Sequence, residues 1–129
     1  MPYIEVTIDP TPTPEQATKL AAGITEALQK ETHKRPEVTA VRINSREALL
    51  WTINTAKLRQ TTAYMEIKIT QGTNSHEEKS SLIARLHQLL LDTLGELEPA
   101  SYIVLHELPA ENWGYAGLTQ AHRTIQRGD

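Results

Sequence analysis

The residue in this chain whose type and position most readily suggest chemistry is Pro2. Met1-Pro2 runs directly into the β-forming stretch YIEVTI. An initiator methionine is commonly removed when the next residue is small, and proline qualifies. Removal would leave a secondary amine at the head of a structured strand. An α-amino group titrates near pH ~7.7–8.0 in model peptides. Desolvation and a nearby cation both push that value down, so the free amine becomes a general base near neutral pH. The proline ring also fixes where the lone pair points. The alternative is that Pro2 is an ordinary second residue.

Other reactive groups offer less. The 129 residues include no cysteine, so there is no disulfide framework, thiol nucleophile or thiolate metal site. The five histidines do not cluster. His76 and His87 share a helical stretch, but eleven residues on a helix span roughly 16 Å, too far to hold one metal. His106 beside Glu107 reads as a strand-end pair. No Gly-rich phosphate loop, Ser elbow or Walker pattern occurs. Thirteen Lys+Arg against sixteen Asp+Glu give a net charge of −3, which argues against nucleic acid as a partner. No apolar run approaches the roughly 20 residues of a membrane span. The N-terminus lacks the basic and apolar regions of a signal peptide. These features lead to the expectation of a soluble, cytoplasmic, single-domain protein acting away from membranes.

The elements that must position Pro2 are legible from patterning. Residues 3–8 alternate and read as a strand. Thr13, Pro14 and Gln16 form a helix start with a capping box, and Ala17, Leu20, Ala21, Ile24, Ala27 and Leu28 give one apolar face. The helix is expected to fade near Glu31–His33, before Pro36. Residues 38–43, VTAVRI, read as a second strand.

The same order returns about 61 residues later. YMEIKI at 64–69 mirrors YIEVTI, with Tyr64 for Tyr3 and Glu66 for Glu5. Ser75 and Glu78 make a second capping box. Leu82, Ile83, Leu86, Leu89, Leu90, Leu94 and Leu97 repeat the apolar face, and residues 101–107 read as a fourth strand. The chain is thus read as two tandem β-α-β units, 1–61 with Pro2 and 62–129 with a C-terminal hairpin. The fold class is α+β: a four-stranded sheet with both helices on one face and right-handed parallel pairing within each unit. Residues 44–62, which contain Trp51, join the halves. Trp113-Gly114-Tyr115 and Gly117 predict a short hairpin, and His122, Arg123 and Arg127 a solvated or subunit-contacting tail. The sheet face away from the helices needs cover, so self-association is expected.

Three motifs in this order, Pro2-Tyr3-Ile4, Val38-Thr39-Ala40-Val41-Arg42, and Glu107 leading to Asn112-Trp113-Gly114-Tyr115-Ala116-Gly117, resemble the tautomerase superfamily, 4-oxalocrotonate tautomerase-like, of the fused two-unit type. The resemblance covers nearly the whole chain. It implies the tautomerase/MIF-like fold, a homotrimer, no cofactor and no metal, and a small enol or keto acid as substrate. Pro2 is then the base. Arg42 falls on the active-site arginine that binds carboxylate or carbonyl oxygen, a role suited to a permanently charged fork. Trp113 falls on the aromatic that walls the pocket, and Tyr115 belongs to the same hairpin. Arg46, four positions beyond Arg42, either shares its strand face and adds a second cation or sits in the following loop.

The chain also departs from that pattern. Ala63 stands where a second Pro2 would be, and Tyr102 or Val104 where a second Arg42 would be, so the second unit is expected to be catalytically silent. No first-loop arginine occurs in Thr11-Pro12-Thr13 or Thr73-Asn74-Ser75, which argues against a dicarboxylate substrate. The expected activity is a cofactor-independent tautomerase. Its alternatives are a hydrolytic dehalogenase or decarboxylase with cationic Pro2, for which Glu5 and Glu107 are the candidate carboxylates, and an inactive trimeric scaffold.

Overall fold

The structure is a computed structural model and describes residues 1–44 and 48–127. Strand β1 (Tyr3–Asp9) alternates as its sequence does: Ile4, Val6 and Ile8 are buried, and Tyr3, Glu5 and Thr7 face the other way. Helix α1 (Pro14–Thr32) starts on the Thr13–Gln16 capping box and ends at His33, whose φ of 59° lies in the left-handed region. A single 3₁₀ turn at Pro36–Val38 precedes β2 (Ala40–Asn44). The second strand therefore begins two residues later than its β-propensity predicts. Pro36 fixes φ, and Thr39 closes the turn by donating its N–H to the Pro36 carbonyl and its hydroxyl to that of Arg35.

The second unit repeats the plan with β5 (Thr62–Thr70), α2 (His76–Leu94) and β6 (Tyr102–Leu108). Ala63, Met65, Ile67 and Ile69 of β5 are fully buried. Each unit pairs its own strands in parallel, and the units join through an antiparallel β1–β5 pair, giving the order β2-β1-β5-β6. Leu20, Ile24 and Leu28 of α1 and Leu82, Leu86 and Leu90 of α2 fill the core against one face of this sheet. Burying each such side chain is worth about 1.5–3 kcal/mol. The helices approach closely at Gly23, where a Cβ would lie 2.6 Å from Leu89 Cδ1.

Residues 44–62 are more than a linker. They contain a hairpin of β3 (Thr52–Ile53) and β4 (Ala56–Lys57), with Asn54 and Thr55 at positive φ. The predicted C-terminal hairpin is β7 (Gly114–Tyr115) with β8 (Leu118–Thr119), turning through Ala116 and Gly117, also at positive φ. The two hairpins are copies: Trp51 precedes the first as Trp113 precedes the second. The basic tail forms a helix, α3 (Gln120–Arg127), that packs back on the second hairpin.

Candidate active site

Pro2 is buried at the head of β1. Its carbonyl accepts from Ala40 N at 3.2 Å, which ties it to the start of β2. Beside it opens a cavity of about 570 Å³ whose walls include Tyr3, Val38, Lys68, Trp113 and Tyr115, a size suited to a small organic ligand. Topology explains why residues distant in sequence meet here. Strand β6 runs antiparallel to β1, so the chain leaving Leu108 arrives where β1 begins.

The aromatic wall is braced from behind. Trp113 Nε1 donates to Thr70 Oγ1 at 3.2 Å, and the Trp113 carbonyl accepts from Gln120 N at 3.0 Å. Arg123 Nη2 donates to the Tyr115 carbonyl at 2.7 Å, and its guanidinium lies 3.7 Å from the Tyr115 ring centroid. This stacked cation fixes the ring's position. Gly114 permits the close approach of the hairpin strands, since a Cβ there would lie 2.0 Å from the Leu118 carbonyl oxygen.

The structure thus brings together Pro2, Trp113 and Tyr115. It does not bring Arg42 to them. Arg42 is exposed on β2, in register with Glu5, three residues along β1 from Pro2, or roughly 10 Å. Arg46 lies outside the described residues. Lys68 is the basic side chain in the cavity lining. It stands opposite Tyr3 across the β1–β5 pair, with its ammonium 5.9 Å from the Tyr3 ring centroid. Sequence reasoning missed it. The strand alternation of YMEIKI, which sends Tyr64, Glu66 and Lys68 to the face away from the helices, was the signal that could have found it.

Neither candidate carboxylate lines the cavity. Glu5 accepts from the Tyr3 hydroxyl at 2.8 Å on the open sheet face. Glu107 is in register with buried Ile69 and receives Lys79 Nζ at 2.7 Å. That bond, with the backbone N–H of Gly72 and the nearby Lys34 charge, holds the Glu107 carboxyl below its ordinary value against the opposing effect of burial. The acidic residue in the lining is Glu37, paired with Arg35 at 3.5 Å.

The head of the second unit carries a different residue. Ala63 occupies the Pro2 position, buried, with its amide N–H donating to Ser101 Oγ at 3.2 Å. Glu5 pairs with Arg42 and its copy Glu66 with Val104, so Val104 rather than Tyr102 is the counterpart of Arg42.

A mixed four-stranded sheet of two β-α-β units, with a proline at the head of one strand and an aromatic hairpin over it, defines a protein of the fused tautomerase fold. Solved structures agree. A structure described as Pt0534 inactivated by 2-oxo-3-pentynoate superposes with a TM-score of 0.81 over 92% of this chain and 96% of that one, at 18% identity. An asymmetric trimer described as the F6 fused 4-OT wild type gives a TM-score of 0.82, covering 92% and 96% of the two chains at 17% identity. The model of the Tautomerase enzyme family matches residues 64–123, the unit that supplies Lys68, Trp113 and Tyr115. A probable tautomerase, K2, from Dickeya dadantii (strain 3937) is 35% identical over 63 residues, 49% of this chain and 94% of that protein. The chain belongs to the tautomerase superfamily and is 4-oxalocrotonate tautomerase-like, and that membership carries isomerase-type chemistry as its functional class.

Proposed function

We propose that this protein is a cofactor-independent tautomerase of enol and keto acids in which Pro2, freed of Met1, is the general base. The observation that carries this reading is the burial of Pro2 beside a cavity walled by Trp113 and Tyr115, with a cation, Lys68, in the same lining. Burial and the neighbouring cation both favour the neutral amine. The amine takes the proton of the enol hydroxyl. The O–H electron pair forms the ketone, the enol double bond's pair moves to carbon, and the prolinium returns the proton to that carbon. Charge develops on oxygen during transfer, and a guanidinium or ammonium stabilises it.

Arg42 enters this scheme from a neighbouring subunit of a homotrimer. Its exposure on an edge strand, remote from its own Pro2, supports that assignment. Leu49, Leu50 and Tyr102 are exposed apolar groups suited to subunit contacts, and the F6 fused 4-OT structure is itself described as a trimer.

The test is ketonisation of phenylenolpyruvate followed by absorbance, with wild type set against Pro2→Ala. A rate at least about 100-fold lower in the variant is expected for loss of a general base. Equal rates would rule the reading out and favour an inactive scaffold. A second reading, hydrolytic dehalogenation or decarboxylation with cationic Pro2, is favoured by Glu37 in the lining. Release of halide or carbon dioxide from a 3-haloacrylate or a 3-oxo acid, abolished in Glu37→Gln, would select it.

A further inference from the structure

We propose that Lys68 is the carboxylate-binding group of the Pro2 cavity and that it sets the substrate class as an enol acid with one carboxylate and a flat apolar tail. This rests on the assignment of Pro2 as the base. Three observations carry it. Lys68 is the basic side chain in a lining otherwise supplied mainly by Pro2, Tyr3, Val38, Trp113 and Tyr115. Among the described residues no carboxylate lies within ion-pairing distance of its ammonium, which rests 5.9 Å from the Tyr3 ring centroid. It is half-buried, so an anion bound there is less screened than one at the surface.

Repeat symmetry sharpens the point. Lys68 is the copy of Thr7, and the antiparallel register sets Lys68 against Tyr3 while Thr7 lies against Tyr64. This register therefore sets a cation at the end of the sheet that carries Pro2 and a hydroxyl in the matching place at the Ala63 end. Within the lining that this chain's described residues supply, a second carboxylate would meet Glu37, whereas the aromatic wall accepts a flat apolar group.

The experiment measures binding and turnover separately in wild type, Lys68→Met, Lys68→Arg, Arg42→Met and Pro2→Ala. The binding probes are phenylacetate and phenylacetamide, followed by calorimetric titration. The substrates are phenylenolpyruvate and its methyl ester. Lys68→Met is expected to weaken phenylacetate about 10- to 100-fold and to raise KM for the acid by a similar factor. Phenylacetamide affinity and the KM for the ester should be unaffected, Lys68→Arg should restore most of the loss, and Pro2→Ala should leave phenylacetate binding intact. Unchanged phenylacetate affinity in Lys68→Met, equal losses for acid and amide, or a carboxylate preference abolished by Arg42→Met alone would overturn the proposal. If Pro2→Ala turned over at the wild-type rate while Lys68→Met still lost phenylacetate, the base assignment would fall and the carboxylate site would stand.

Discussion

Glu5 and Glu66 face each other directly across the antiparallel β1–β5 pair, each the sequence copy of the other. The local twofold axis relating the two units passes between them. Each is held by the tyrosine two residues before it: Tyr3 donates to Glu5 at 2.8 Å, and Tyr64 bonds Glu66, which raises the Tyr64 phenol above its ordinary value. The surroundings break the symmetry. Arg42 lies in register beside Glu5, and Val104 beside Glu66. Like charges opposite each other on a sheet repel, and the strand position beside Glu66 holds Val104 where that beside Glu5 holds a cation. Glu66→Gln should therefore raise the thermal midpoint by about 1–3 °C, while Glu5→Gln should not. Equal effects in thermal melts would contradict this electrostatic asymmetry.

The cavity wall depends on Gly114. A methyl group there would meet the Leu118 carbonyl oxygen at 2.0 Å, so the hairpin must open. Gly114→Ala should cost about 1–3 kcal/mol of stability and lower kcat/KM by at least about 10-fold, because Trp113 and Tyr115 move with the backbone. Gly117→Ala is the control. Its φ is +80° but nothing crowds a Cβ there, so it should cost about 1–2 kcal/mol with a smaller loss of activity.

If Arg42 serves a neighbour's cavity, two inactive variants should complement. Refolding an equimolar mixture of Pro2→Ala and Arg42→Ala chains should recover about a quarter of the wild-type activity, the fraction of sites that draw both intact residues from different chains. No recovery would mean that Arg42 acts within its own chain or not at all.

The Lys79–Glu107 bond ties α2 to the end of β6. The Glu107 carboxyl is held below its ordinary value of 4.5, so the bond's contribution is present above that pH and is lost as pH falls through the lowered folded value. Lys79→Met should therefore melt below wild type at pH 7, and the gap should close progressively below about pH 4.5. A constant gap down to pH 3 would contradict it.

Much of the fold was legible because its signals are local. The capping boxes at Thr13 and Ser75 and the alternation of both first strands set element types without tertiary information. The Tyr-x-Glu repeat displayed the duplication, and the Trp51–Trp113 spacing would have extended it to the hairpins. Strand order was not legible, because neither unit's sequence states which edge meets the other. That order decides which side chains share the cavity. Lys68 was hidden for this reason: it becomes a neighbour of Pro2 only once β5 lies antiparallel to β1. The separation of Arg42 from Pro2 depends on the same kind of information, the parallel register that sets Arg42 beside Glu5.

The base assignment is tested most directly by the ionisation of the Pro2 nitrogen. Protein labelled with ¹⁵N-proline, its mass first checked for loss of Met1, is titrated by NMR. The Pro2 amine is expected to titrate clearly below the ~7.7–8.0 of an ordinary α-amino group and to match the pH at which kcat/KM for phenylenolpyruvate rises. A retained Met1, or an amine that titrates at or above the ordinary value, would contradict Pro2 as the base.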